Sequence, residues 1–191
     1  MNKNYTEINK NIKQEADEIL IDKGLLSLLS KYGKPYITGS YALNLMTWRD
    51  LDIYLESDVT TEPVFFNLGA EIKSILHPVK MNYRNEIKDR TPGLPTGLYW
   101  GIYLGNEREG AWKIDIWAMN KKECRHRIAF CDDLLAQIND DAKEMIFEIK
   151  SACWKDPEYR RSYTSRDIYE AVLDNKVRSV EEFKELLQAK K

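Results

Sequence analysis

The chain of 191 residues has little of what marks several classes of protein. Its formal net charge is only −2 at pH 7, whereas proteins that bind nucleic acid usually carry a basic excess, because neutralised phosphates supply much of the affinity. It has three cysteines, an odd number without regular spacing, which argues against a disulfide framework. We therefore expect a cytoplasmic protein for which nucleic acid is an unlikely partner.

Long apolar segments are also lacking. Residues 1–20 are polar and charged, without the apolar centre of a signal peptide. No stretch approaches the roughly 18 uncharged apolar residues that cross a bilayer, so we expect no membrane contact. The content of 43% hydrophobic and 31% charged residues is typical of a globular protein, and the length fits one domain with a helical annex.

The apolar periodicity predicts an α/β part followed by a helical part. Apolar residues at helical spacing indicate helices over about 5–31, 41–46 and 62–76. Alternation with a period of two indicates strands at about 36–38, 50–55, 79–87, 98–104 and 111–119. From about residue 128 the pattern is wholly helical. We predict an α/β (α+β) domain over 1–125 and a C-terminal helical region over 126–191.

Two carboxylates stand on one of the predicted strands. Asp50 and Asp52 are two residues apart, while Leu51, Ile53 and Leu55 alternate with them, so both acids face the same side. Two like charges held this close raise each other's pKa unless a cation intervenes. Oxygen ligands favour a hard divalent ion such as Mg²⁺. The pair therefore predicts a metal site.

Gly39 and Ser40 lie between the preceding strand and a predicted helix start. Such a turn exposes backbone N–H groups and a hydroxyl, which can hold phosphate oxygens. Glycine permits a close approach that a Cβ would block. The turn precedes the two carboxylates by some ten residues, so a strand, short helix and strand would bring phosphate site and metal site face to face.

Asp115 is the candidate for a third carboxylate. It alternates with Ile114, Ile116 and Ala118 on a later predicted strand, so it projects to the face opposite those apolar residues. If this strand neighbours the first, three acids converge. They could then hold two Mg²⁺ ions roughly 3.5–4 Å apart, which is the geometry for in-line displacement at phosphorus.

Gly39-Ser40, then Asp50-Leu-Asp52, then Asp115 resemble the signature of the DNA polymerase β-like nucleotidyltransferase superfamily over roughly residues 33–120. The resemblance implies a mixed β-sheet flanked by helices, with Asp50, Asp52 and Asp115 as catalytic metal ligands. It also implies that Gly39 and Ser40 bind the β- and γ-phosphates of an NTP. Many members have a small residue and an arginine soon after Gly-Ser, whereas this chain has Tyr41 to Asn44.

Two basic residues are candidates for the nucleotide site. Arg49 directly precedes the acidic pair, and it could pair with a neighbouring acid or reach a phosphate. Lys113 shares the predicted face of Asp115, so it could neutralise a carboxylate or contact the triphosphate. We keep both as predicted cofactor-binding residues.

The acceptor is harder to predict than the donor. Aminoglycoside and lincosamide nucleotidyltransferases are similar in size and layout, which favours transfer of AMP from ATP to a hydroxyl of a small molecule such as an antibiotic. A protein acceptor, as in antitoxin-type AMPylating members, is the nearest alternative, and tRNA tailing is weaker for lack of a basic surface. A nucleotide-binding module without turnover, a metal-dependent hydrolase and a homodimer that completes the site stay open.

Overall fold

The computed structural model describes residues 4–58, 60–88 and 90–189. Their centre is one mixed sheet of five strands in the order β1-β2-β5-β4-β3. The strands are β1 (Lys34–Thr38), β2 (Asp50–Glu56), β3 (Lys80–Asn85), β4 (Leu98–Tyr103) and β5 (Lys113–Met119). Strands β2 and β5 are parallel, and the other neighbours are antiparallel. The predicted α/β class with a mixed sheet is confirmed.

Helices flank both faces of the sheet. The first four are α1 (Tyr5–Asp17), α2 (Leu25–Ser30), α3 (Gly39–Ala42) and α4 (Glu62–Leu76). The last four are α5 (Lys121–Gln137), α6 (Asp140–Cys153), α7 (Ser165–Leu173) and α8 (Val180–Ala189). Helices α1, α2 and α4 pack on one face of the sheet, and α5 contacts the other face through Cys124 and Ile128. No helix in the described part of the chain is long and apolar enough to cross a membrane.

The two faces of β2 have different surroundings. Leu51, Ile53 and Leu55 are fully buried in a core with α1, α2 and α4, as their alternation predicts. The acidic residues between them are only partly covered and face the other side of the sheet. Burial of the apolar face thus fixes which way Asp50 and Asp52 point, because a one-residue slip would turn every side chain over.

The prediction of one continuous helix over 5–31 is wrong. Helix α1 ends at Asp17, a short π-helix follows over Glu18–Asp22, and α2 begins at Leu25. Gly24 stands between the last two with a φ of 75°. That left-handed conformation ends a helix, and glycine adopts it without steric cost.

The helical part begins earlier than predicted, at Lys121 rather than about 128. The side chain of Asn120 accepts a hydrogen bond from the Glu123 N–H and so caps the start of α5. The predicted boundary between residues 125 and 126 falls inside this helix, and the division into two domains stays a prediction. Leu43 and Leu45 from the α/β part pack into the core of the C-terminal helices, so apolar contacts join the two parts.

Candidate active site

Three carboxylates lie together on the face of the sheet opposite the α1–α2–α4 core. Because β2 and β5 are parallel neighbours, Asp52 stands beside Asp115 and Asp50 stands beside Lys113. Strands lie about 4.8 Å apart, so the four side chains crowd one small area. The structure therefore brings together three of the predicted metal ligands with one of the predicted basic residues.

Two cations neutralise part of this acidic group. The Lys113 ammonium contacts Oδ2 of Asp115 and lies 3.8 Å from Oδ1 of Asp50. Arg160 donates from Nη2 to Oδ2 of Asp50 at 2.7 Å. Burial raises the pKa of Asp50, but Lys113 and Arg160 together hold that pKa below its usual range.

Asp52 is compensated less, because Lys113 and Arg160 lower its pKa only from a distance. Among the described residues it makes no recorded hydrogen bond or ion pair, although it lies between two other acids. Burial, then Asp50 and Asp115, raise the pKa of Asp52 to about 7. A carboxylate in this position is stabilised by a cation, and no side chain supplies one in contact with it.

The donor set fits Mg²⁺ after a small rearrangement. As the side chains stand, no group of three acidic, histidine or cysteine residues within residues 4–58, 60–88 and 90–189 is arranged to hold a metal, since Asp50 and Asp115 are turned to side-chain cations. Yet Oδ1 of Asp50 is buried without a hydrogen-bond partner, and Asp52 has no cation in contact with it among these residues. Both are hard oxygen donors of the kind that Mg²⁺ prefers.

The Gly39–Ser40 bend lies directly beside Asp52. Gly39 has a φ of 60°, and a Cβ there would overlap Oδ2 of Asp52 and lie 3.0 Å from its Cγ. Ser40 is buried in the following single turn of helix, which ends at Ala42 rather than continuing to residue 46 as predicted. Both predicted phosphate-binding residues therefore adjoin the carboxylate that no described side-chain cation contacts.

Arg49 lies outside this group. Its guanidinium forms two hydrogen bonds with the carboxylate of Glu15 in α1, with Nη2 to Oε1 at 2.7 Å, and a third with the Gly110 carbonyl at 3.2 Å. Arg49 lies in the bend before β2, and its side chain extends toward α1 instead of toward the acidic residues. Of the two alternatives that the sequence offers, the structure has the ion pair with a neighbouring acid, and we leave Arg49 out of the nucleotide site.

Arg160 is a site residue that the sequence does not reveal. It follows α6 in a turn with a φ of 68°, a conformation that costs non-glycine residues about 1 kcal/mol or more. Arg108, from the β4–β5 connection, donates to the carbonyls of Trp154, Asp156 and Tyr159 and so holds this turn. Arg160 and Asp50 are 110 positions apart in the sequence, so no local sequence pattern predicts their contact.

Lys150 also stands close to the acids, and here a signal exists. It is fully buried in α6, donates to the Leu45 carbonyl at 2.7 Å, and lies over the Trp48 ring. Burial lowers the pKa of Lys150 to about 7, although Asp50 and Asp52 act in the opposite direction. Lys150 stands in phase with the apolar stripe of Ile146, Ile149 and Cys153, and a lysine in such a stripe indicates a special environment.

The mixed five-stranded sheet flanked by helices matches the fold of several solved nucleotidyltransferase structures. No family profile matches the sequence, and no curated protein is matched by it. A Cid1 poly(U) polymerase structure with Mg and 3'-dATP is similar with a TM-score of 0.55 and 12% identity, over 91% of this chain and 55% of that chain.

Two further solved structures have the same fold. A cytoplasmic RNA terminal U-transferase has a TM-score of 0.53 and 12% identity, over 90% of this chain and 51% of that chain. Terminal uridylyl transferase 4 from Trypanosoma brucei, with bound dUTP, has a TM-score of 0.52 and 15% identity, over 88% and 56%. The chain thus spans about half the length of these proteins, and at such identities the likeness is one of fold.

Proposed function

We propose that this chain transfers a nucleotide from an NTP to an acceptor group. The observation that carries the proposal is the convergence of Asp50, Asp52 and Asp115 beside the Gly39–Ser40 bend, with no described side-chain cation in contact with Asp52. A structural salt-bridge cluster would compensate all its buried charges, because a buried charge left unpaired is costly. An acid without a contacting cation next to a glycine bend fits a site that receives cations and phosphates.

In this proposal the three carboxylates hold Mg²⁺, with ATP as the first NTP to test. Bound Mg²⁺ supplies charge neutralisation on the triphosphate and activation of the acceptor hydroxyl. Gly39 and Ser40 hold phosphate oxygens, and the missing Cβ of Gly39 lets phosphate and Asp52 approach each other. Catalysis by this chain is then mainly positioning and electrostatic stabilisation.

The side-chain cations have a part in nucleotide binding. Asp50 could ligate a metal through Oδ1, which has no hydrogen-bond partner, and ligation through both oxygens would also free the Arg160 guanidinium from Oδ2. The released guanidinium carries donors suited to a phosphate. Lys113, whose ammonium lies between Asp50 and Asp115, can make the same exchange. Both residues thus neutralise acids before binding and phosphates afterwards.

A small-molecule hydroxyl is the acceptor that the near-neutral net charge favours. An RNA acceptor is the second candidate, and a local observation favours it: the start of α5 exposes four basic or titratable side chains on one face, which are Lys121, Lys122, Arg125 and His126. The similar structures include a terminal U-transferase that acts on RNA. A positive stripe of this kind attracts a phosphate backbone.

The proposal is tested with the four NTPs, each labelled at the α-phosphate, together with Mg²⁺ and one acceptor at a time. The acceptors are a short single-stranded RNA, an aminoglycoside and a lincosamide. We expect acceptor-dependent pyrophosphate release and label on one acceptor, with no transfer by Asp52→Asn. Nucleotide binding without transfer to any acceptor would favour a binding module, and pyrophosphate release that needs no acceptor would favour a hydrolase.

The two acceptor classes are separated by the charge of α5. Reversal of Lys121, Lys122 and Arg125 to glutamate should reduce transfer to RNA about tenfold or more at physiological salt, because each phosphate contact adds to a salt-dependent affinity. Transfer to a small molecule should stay within twofold of the unmodified protein. The matched control is the reversal of Lys143 and Lys155, which lie on other parts of the helical region.

A further inference from the structure

Tyr99 on β4 makes a direct hydrogen bond to the third carboxylate of the site. Its hydroxyl donates to Oδ1 of Asp115 at 2.7 Å. We propose that Tyr99 is a positioning residue that fixes the orientation of Asp115, and that Gly101 provides the space for it. The inference rests on the proposed function, since it assigns a task within that same site.

The sheet register explains how Tyr99 reaches Asp115. In the antiparallel pair of β4 and β5, the residue opposite Asp115 is Gly101, whereas Tyr99 stands opposite Trp117. Tyr99 is two residues from Gly101 and shares its face of the sheet. To reach Asp115 the tyrosine side chain must therefore lean along its own strand and pass over Gly101.

Gly101 is needed here for space and not for backbone conformation. The φ of Gly101 is not positive, so an alanine could adopt the same backbone. A Cβ at Gly101 would overlap the hydroxyl of Tyr99 and lie 2.9 Å from its Cζ. A glycine within a strand often marks such a close approach, and here it admits the phenol.

The surroundings hold the phenol in one place. Tyr99 is buried, and its ring packs on Trp117 with centroids 4.7 Å apart. Burial, then Asp115, raise the pKa of Tyr99, so the hydroxyl stays protonated and acts as a donor. The Lys113 ammonium contacts the other oxygen of Asp115. Each oxygen of Asp115 thus has one donor and keeps a lone pair for a further ligand.

Loss of this contact should weaken what Asp115 does without touching the phosphate side. Side chains that orient a metal ligand commonly affect affinity or activity by about 10–100-fold. Tyr99 makes no hydrogen bond with Gly39, Ser40, Asp50 or Asp52, so nucleotide binding should be unaffected when KM for NTP is measured at saturating Mg²⁺. A loss of kcat with an unchanged KM for NTP is therefore the expected signature.

The test compares Tyr99→Phe, Gly101→Ala and the double variant, with Tyr103→Phe as control. Tyr103 is on the same strand and face, two residues beyond Gly101, opposite Lys113. We expect Tyr99→Phe to lower kcat about tenfold or more, with KM for NTP within twofold, and Tyr103→Phe to stay near the unmodified protein. If Gly101→Ala acts by displacing Tyr99, the double variant should be no worse than the worse single variant.

Binding of Mn²⁺, followed by electron paramagnetic resonance with a non-hydrolysable NTP, provides a second readout that needs no turnover. We expect Tyr99→Phe to weaken Mn²⁺ binding about tenfold and Tyr103→Phe to leave it unchanged. Equal Mn²⁺ affinity and equal kcat in Tyr99→Phe and the unmodified protein would overturn the inference. If the unmodified protein transfers nothing, the proposed function fails, and the Mn²⁺ comparison alone decides whether Tyr99 orients Asp115.

Discussion

Replacement of Asp52 and of Asp50 by asparagine should abolish activity in both cases but change stability in opposite directions. Asp50 is paired with Arg160 and lies 3.8 Å from Lys113, so Asp50→Asn leaves Arg160 without its carboxylate and the buried Lys113 with Asp115 alone. Asp52 is a partly covered acid with no cation in contact with it, so Asp52→Asn removes an unfavourable charge. Two substitutions of the same chemistry, two residues apart, thus separate the contribution of each carboxylate to activity from its contribution to stability.

The magnitude follows from the pKa of Asp52. A pKa of about 7 in the folded chain against an ordinary 3.8 corresponds to about 4 kcal/mol at 1.36 kcal/mol per pH unit. Part of the side chain faces water and the amide is still polar, so we expect about 2 kcal/mol of stabilisation for Asp52→Asn. For a chain of this size that raises Tm by about 4–8 °C.

The pH dependence of stability gives the sign of the change expected for Asp52→Asn. A raised carboxyl pKa means that the folded state binds more protons than the unfolded state between about pH 4 and pH 7, so stability falls over that range as pH rises. In EDTA, Asp52→Asn should gain little at about pH 4 and its full amount at about pH 8.

The assay is thermal unfolding in EDTA at both pH values, repeated with Mg²⁺. Asp50→Asn should lower Tm at pH 8, because removing one partner of a buried ion pair commonly costs about 3–5 kcal/mol. Mg²⁺ should stabilise the unmodified protein and have little effect on Asp52→Asn. If both substitutions shift Tm in the same direction at pH 8, the charge distribution described for the site is wrong.

The other predictions concern the bend and two arginines. Gly39→Ala should cost about 2 kcal/mol or more through strain and overlap, measured by denaturant unfolding, whereas Gly93→Ala, with a φ of 86° and nothing within 4 Å, should cost only about 1 kcal/mol. Arg160→Met should tighten Mn²⁺ binding without nucleotide yet raise the KM for NTP; a change of both in the same direction would contradict its double role. Arg49→Met should lose about 0.5–1 kcal/mol of stability with the pair to Glu15, and a KM for NTP raised more than twofold would return Arg49 to the nucleotide site.

The parts of the site that were predictable have local signals. Alternation on β2 and β5 fixes which face carries Asp50, Asp52 and Asp115, because apolar residues between them must be buried. The Gly39–Ser40 bend was predictable because a glycine between a strand and a helix start permits a tight turn and a close approach. Strand order was not predictable, since nothing within β2 specifies that β5 is its parallel neighbour. The helix break at Gly24 was missed because the apolar spacing continues across it.

Lys113 could be predicted from its place on β5, but Arg160 could not, for a different reason. Arg160 reaches Asp50 only because Arg108 holds three carbonyls of the preceding turn, and that depends on how the helical region packs on the sheet. Arg49, by contrast, was predicted as a nucleotide-site residue because it directly precedes Asp50, and the structure places it outside the site. Its side chain instead extends from the bend before β2 to Glu15 of α1.

The balance of charge in the site bears on the order in which ligands bind. A triphosphate without metal would meet three carboxylates, two of them already paired with Lys113 and Arg160. Metal without triphosphate, bound through the paired oxygens of Asp50 and Asp115, would displace those cations and leave them without partners. If the proposed metal and triphosphate bind together, Asp50, Asp52 and Asp115 would hold the metal while Lys113 and Arg160 would be free to hold phosphates. Each ligand would then lower the cost of binding the other, and this coupling would be equal in both directions.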